Sequence, residues 1–222
     1  MIYTHDKIER KDKRPRIGAW MPKCDDALLG EMESYLKGRG LDAPTAIENG
    51  WYPSRSANDT HPRIVIPATN TKGLAYWQAR AMDNKVEPRY QSPGVSKGDS
   101  VIQVWPQQRD WLPVLVIVEG PMDALAAAGC GVRAVALMGI TPTEETLDMV
   151  KTLSSDIDFV TFFCDRDAVS DAITVIPRCI QRGMSITISD PTPYQDLAAI
   201  PKRKREDILA MYIQSCMKGE KL

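Results

Sequence analysis

The chain has 222 residues, 43% of them hydrophobic, which is enough to bury a core as one large domain or two small ones; its longest strongly apolar run, about Pro113 to Val118, is too short for a membrane span. Five scattered cysteines with no CxxC pair, and only His5 and His61 beside them, speak against zinc and fit reduced thiols in a cytoplasmic protein. Net charge is −1, but residues 1–112 hold 17 Lys+Arg against 14 Asp+Glu while residues 113–222 hold 11 against 15, an unevenness that suits a phosphate-gripping half beside a carboxylate site and equally suits chance.

In chain order, residues 1–28 read as a charged N-terminal arm. MIYTHDKIERKDKR has no apolar segment behind it, so it is no secretory signal, and its lack of periodicity suits an arm that orders against something else. Gly30–Lys37 predicts a helix and Pro44–Glu48 a short second one. Arg63–Thr69 and Leu74–Ala81 flank Asn70-Thr71-Lys72-Gly73, a β-hairpin pattern. Lys85–Gly98 is basic and rich in Pro and Gly, hence a loop, and Val101–Trp105 is a further strand. Residues 29–112 thus form a small, mildly basic α+β subdomain, in which Trp77, Trp105 and Trp111 are better read as core than as base-stacking platforms.

From Val114 the pattern changes to strand, turn, helix, repeated. Val114–Val118 (VLVIV) is the continuous apolar run of a strand buried on both faces. Pro121 starts a helix that Gly129 and Gly131 stop. Val132–Leu137 is a second strand, Thr143 caps the helix EETLDMVKTL, Phe159–Phe163 (FVTFF) is a third strand, Ala168–Arg182 a helix containing Pro177, and Met184–Ser189 a fourth strand. Such alternation implies a parallel α/β sheet covered on both sides, over residues 113–200. Residues 201–222 add a basic C-terminal helix, with the run Lys202–Arg205 (KRKR) leading into Glu206–Met217; that run reads as a solvated helix start or as a grip on nucleic acid.

Acids stand where these strands end. VLVIV runs into Glu119, FVTFF-Cys into Asp165 and Asp167, and the fourth strand into Asp190, with Asp196 a little further on. Ligands of parallel α/β sheets bind beyond the carboxyl ends of the strands. Converging carboxylates repel one another unless a cation neutralises them, and oxygen donors without His or Cys select a hard one, Mg²⁺ or Mn²⁺. For any single acid, helix capping explains the position as well.

Glu119-Gly120-Pro121-Met122-Asp123 resembles the first Toprim motif, Asp165-Arg166-Asp167 its DxD motif, Tyr194-Gln195-Asp196-Leu197 its third motif, and Met138-Gly139-Ile140-Thr141 the glycine-bearing loop after the second strand. Upstream, Tyr35–Leu41 followed by Pro44–Ile47, then Arg63–Pro67 and the hairpin ending at Arg80, then Pro88-Arg89-Tyr90-Gln91-Ser92-Pro93 with Lys97-Gly98, resemble the entry, middle and basic loop of a DnaG-type bacterial or phage primase core. The sequence departs from that pattern after the DxD, where Val169-Ser170 replaces a small Ala-Gly pair, and at Arg89, which stands where Lys is usual. No zinc ribbon precedes the core, no GxxxxGK[ST] loop occurs, and about 20 residues follow the Toprim stretch.

The resemblance implies a minimal primase of a bacteriophage or mobile element, making short RNA primers on single-stranded DNA from ribonucleoside triphosphates. Glu119, Asp165 and Asp167 would be catalytic, and together with Asp196 would hold Mg²⁺ or Mn²⁺, not zinc. Arg63, Arg80, Arg89 and Lys97, with Gly120 and Asp123, would face nucleotide or nucleic acid. A separate helicase or template-reading subunit would be the partner, and the host cytoplasm the setting. A Toprim-type nuclease using the same acids, or a non-catalytic nucleic-acid-binding relative, remains the alternative.

Overall fold

A computed structural model describes residues 21–55, 61–107, 113–139, 141–157, 159–189 and 193–218; most of the arm, Trp111 and Asp190 lie outside them. The hairpin is the frame of the first half. β2 (Arg63–Asn70) and β3 (Gly73–Ala81) pair antiparallel around Gly73, whose φ of +111° suits a residue without Cβ. β1 (Tyr52–Ser54) and the two-residue β4 (Tyr90–Gln91) flank them in the order β1-β2-β3-β4; neither was evident as a strand from sequence pattern.

The period-2 alternation of the hairpin divides its side chains between two cores. Ile64, Ile66 and Ala68 face α1 (Leu29–Gly38) and α2 (Ala43–Glu48), which the Asp42 carboxylate caps by accepting from Thr45 N. Val65, Trp77 and Ala79 face the other way, against Tyr52 and Met21. Met21–Leu28, expected in the arm, is packed chain: Tyr52 Oη donates to the Pro22 carbonyl, Ser54 Oγ to that of Lys23, and Asp25 N to that of Pro53.

The second sheet has the order β5-β7-β6-β8-β9, from β5 (Ile102–Val104), β6 (Val114–Val118), β7 (Arg133–Ala136), β8 (Phe159–Phe163) and β9 (Ile186–Ser189). The last four are parallel; β5 joins antiparallel beside β7. β5, expected with the first subdomain, therefore belongs to the second sheet, because Ile102 and Val104 find apolar cover there against α3 (Pro121–Ala128). Leu115, Ile117, Val135 and Phe162 on the opposite face meet α4 (Glu144–Leu153) and α5 (Val169–Gln181). All five residues of β6 are buried, as its unbroken apolar run requires.

Every residue of α3, PMDALAAA, is buried, because this helix lies between the second sheet and the core of the first half. Its alanines permit that close approach on both sides. The hairpin and the second sheet are also stitched directly: Thr69 and Val101 exchange both backbone hydrogen bonds at 2.9 Å.

α6 (Lys202–Lys218) begins four residues earlier than its sequence pattern suggested. Of the KRKR run, Lys202, Arg203 and Lys204 are exposed, but Arg205 is only 2% exposed. Its guanidinium donates to the carbonyls of Leu197, Ala198 and Ile200, at 3.1, 3.2 and 2.8 Å, and to that of Gly40 at 3.4 Å. One member of the supposed surface run is thus a buried tie between α6, the segment before it and the α1–α2 turn. Arg205→Ala is expected to lower the unfolding free energy by roughly 3 kcal/mol or more, since buried carbonyls lose their donor and a cavity opens. Arg203→Ala should change it by less than about 0.5 kcal/mol. Urea denaturation of the two variants checks the contrast, and equal effects would contradict it.

Candidate metal centre and its basic neighbourhood

β6 and β8 are adjacent and parallel, so their carboxyl ends lie at the same edge of the sheet. Glu119 follows β6 directly and Asp165 follows β8 after the buried Cys164, which sets both carboxylates, half-buried, at that edge. Burial first, then the charges of Glu119, Asp196 and Asp167, pushes the Asp165 carboxyl up to about 6. Burial, then Asp167, raises Glu119, with the Lys97 ammonium opposing and Asp171, from the first turn of α5, adding to the rise. The acids named from sequence are therefore electrostatic neighbours.

The segment after β9 completes the edge. Gln195 Nε2 donates to Asp167 Oδ1 at 3.0 Å, and Arg166 N donates to the Gln195 carbonyl at 2.8 Å. Asp196 Oδ1 accepts from Ala199 N at 2.6 Å. Gln195 and Asp171 were missed as site residues; Gln195 stands inside the third motif, whereas only the fold brings Asp171 near Glu119.

Asp123 has a different position from the one expected. It is buried in the first turn of α3 and accepts from Ala198 N at 2.8 Å, which pins the segment carrying Asp196. Burial, with the charge of Asp196 adding to it, pushes its carboxyl up to about 7, against the opposing hydrogen bond from Ala198. Gly120 caps α3 beside it, where a Cβ would come within 3.1 Å of Asp123 Oδ2. These two residues pack against each other and support the edge.

The basic residues divide likewise. Arg63 is 3% exposed and donates to the carbonyls of Pro88 at 3.0 Å and Ala79 at 3.4 Å, so it braces the first sheet against the β3–β4 loop. Arg80, 5% exposed, donates from Nε to Tyr35 Oη at 3.1 Å and lies over the Tyr90 ring at 5.0 Å. Burial pushes the Tyr90 phenol up to about 12, with the Arg80 guanidinium opposing the rise. Arg89 is exposed. Lys97 Nζ donates to the Leu137 and Met138 carbonyls at 2.7 and 2.9 Å, at the end of β7.

Among the described residues no three His, Cys, Asp or Glu side chains close tightly enough on one point to hold an ion. Asp167 and Asp196 each have an oxygen engaged by a hydrogen bond, and uncompensated like charges keep apart. In donor chemistry Glu119, Asp165, Asp167 and Asp196 still fit a hard divalent cation: all are carboxylates, and the mutual repulsion that raises Glu119 and Asp165 is what such a charge relieves.

Residues 114–175 match the family model described as Toprim domain. The chain carries a Toprim domain. Domains of this type generally bind divalent metal ions. No curated protein matches the chain by sequence. Among solved structures, the zinc-binding and RNA polymerase domains of the Aquifex aeolicus primase superpose with a TM-score of 0.63 at 18% identity, covering 83% of this chain and 55% of that one. The primase fragment of the bacteriophage T7 primase-helicase protein superposes with a TM-score of 0.57 at 14% identity, covering 79% of this chain and 72% of that one. The chain thus spans little more than half of the Aquifex chain. Its Toprim sheet and antiparallel first sheet together have the fold of a DnaG-type primase core.

The buried acids of the Toprim edge give a pH dependence of definite sign. A carboxyl whose folded pKa exceeds its unfolded value of about 3.9 destabilises the fold once it ionises; the penalty is absent at low pH and grows until the folded pKa is passed. With Asp165 near about 6 and Asp123 near about 7, the metal-free protein should become more stable as pH falls from about 7.5 to 5. Asp123→Asn, which keeps an acceptor for Ala198 N, should flatten that trend and raise Tm at pH 8. Thermal melts across pH decide it; a Tm that falls steadily over that interval in the wild type would contradict the assignment.

Proposed function

We propose that this chain is the catalytic core of a primase, a nucleotidyltransferase that joins ribonucleotides into short RNA primers on a single-stranded DNA template. The observation that carries this reading is the set of coupled carboxylates at the Toprim edge, faced across the end of β7 by the basic loop of the first subdomain. The shared fold with the Aquifex and T7 primase fragments supports it.

In this reading Asp165 and Asp167, with Asp196 beside them, hold Mg²⁺ or Mn²⁺. When bound, such a cation neutralises triphosphate charge and lowers the pKa of the attacking 3′-hydroxyl. Gln195 orients the Asp167 carboxylate, and Asp123 orients the segment that carries Asp196. Glu119, half-buried with a raised pKa, is suited to accept the hydroxyl proton. Arg89, exposed on the β3–β4 loop, supplies phosphate contact. Arg80, buried between the Tyr35 and Tyr90 rings, braces the strand from which that loop departs.

A separate helicase or template-reading subunit is proposed as partner, with the charged N-terminal arm and the exposed face of α6 as its docking elements. A cytoplasmic setting, that of the host if the chain is of phage origin, belongs to the same reading. In the described residues no helix is long and apolar enough to cross a membrane.

Incubating the protein with single-stranded template, labelled ribonucleotides and Mg²⁺ or Mn²⁺ tests the function. Oligoribonucleotide products are expected; template degradation would identify a nuclease instead, and template binding without chemistry a binding protein. Asp165→Ala and Asp167→Ala should abolish synthesis while leaving the protein folded. Glu119→Gln should slow it by roughly a hundredfold or more. Near-normal turnover of Glu119→Gln at saturating metal would remove that residue from the mechanism.

Arg89→Ala should weaken template or nucleotide binding and make its salt dependence shallower by about one counterion. Fluorescence anisotropy at several salt concentrations reads both quantities. An unchanged affinity with an unchanged slope would mean that Arg89 makes no phosphate contact.

A further inference from the structure

Lys97 has bonding unlike that of a phosphate-seeking lysine. It belongs to the loop between β4 and β5, at the end of the basic segment Lys85–Gly98, yet its side chain crosses to the Toprim sheet and is half-buried there. Two of its three N–H groups are taken up by the carbonyls of Leu137 and Met138. Those carbonyls belong to a turn with unusual backbone. Met138 has φ +55°, the one positive φ at a non-glycine position among the described residues, and Gly139 follows at +132°. A non-glycine residue in the left-handed region is unfavourable unless its surroundings hold it there.

The same turn is tied to the catalytic strand. Leu137 N donates to the Val118 carbonyl at 3.0 Å, and Met138 N donates to the Glu119 carbonyl at 2.9 Å. Lys97 and Glu119 thus grip one short piece of backbone from two sides, and their charges favour each other. The loop that carries Lys97 is also anchored at its other end. Asn70 Nδ2 donates to Asp99 Oδ1 at 3.1 Å, and Thr69 pairs with Val101. Lys97 Nζ lies alongside Gly139: a Cβ there would stand 3.7 Å from it, an ordinary contact, so the φ of +132° is what favours glycine.

We propose that Lys97 is a positioning residue, whose ammonium locks the left-handed Met138–Gly139 turn, and through it the Glu119 strand end, to the hairpin of the first subdomain. The consequence for synthesis rests on the primase reading; the clamp itself does not. With Lys97 in place, the basic loop and the acidic edge are held in one register. Without it, the turn relaxes and the Glu119 carboxylate loses its fixed approach to substrate.

Lys97→Met keeps the aliphatic stem and removes the donors. Amide hydrogen exchange followed by mass spectrometry or NMR should show exchange at Leu137 and Met138 at least tenfold faster, with the β2–β3 amides unchanged. In primer synthesis kcat should fall at least tenfold, while KM for nucleotide stays within about threefold. The salt dependence of template binding should keep its slope. Unchanged exchange at Leu137 and Met138 would overturn the clamp, and a raised KM with a shallower salt slope would then mark Lys97 as a direct phosphate ligand. Lys97→Leu, which also lacks a donor, carries the same measurement should Lys97→Met fail to fold. If the wild-type protein makes no primers, the primase reading fails, and the exchange measurement still decides the clamp.

Discussion

Two neighbouring parallel strands must end at the same edge of their sheet, and here the two central strands end in carboxylates. β6 delivers Glu119 and β8 delivers Asp165 and Asp167 to one edge, where burial and mutual repulsion raise Glu119 and Asp165 together. Much of the surrounding structure is organised around that unfavourable charge. Gln195 donates to Asp167, Ala199 N to Asp196, Ala198 N to Asp123, and the Lys97 ammonium stands near Glu119. These groups moderate the repulsion without cancelling it, which leaves the edge receptive to a divalent cation.

The second organising feature is α3. A helix buried along its whole length has no solvent face, so its alanines set how closely the Toprim sheet approaches the core of the first half. Asp123 is the one charged residue of this helix, and its bond to Ala198 N links α3 to the segment carrying Asp196. Arg205 repeats the device from α6, satisfying three carbonyls within Leu197–Ile200 and reaching Gly40. The third acidic motif is therefore held by buried polar groups from two different helices, and a loop held in this way can present carboxylates to a ligand with little rearrangement.

The cations of the first half divide between structure and surface. Arg63 is buried and bonded to backbone carbonyls, Arg80 is wedged between Tyr35 and Tyr90, and Lys97 is committed to the β7 turn. Arg89 alone of the four stays exposed. A uniform basic patch would carry all its charge at the surface; here several cations are part of the framework instead.

Local patterns were sufficient for much of this. The runs VLVIV and FVTFF identify buried strands because a parallel strand covered on both faces can have no polar side, and acids directly after them must lie at the ligand edge. The places of Glu119, Asp165 and Asp167 at that edge were legible for that reason, whereas Asp196, well past the fourth strand, was legible through its motif; the hairpin around Gly73 was legible from its alternation. What the tertiary structure alone decided are the partners distant in sequence: β5 pairing with β7, Lys97 reaching Leu137 forty residues on, and Arg205 reaching Gly40 across 165 residues. A cation's composition and spacing look the same whether it is solvated or bonded to buried carbonyls. The difference lies in which unsatisfied backbone groups the fold brings within about 3 Å of it, and no local pattern encodes that.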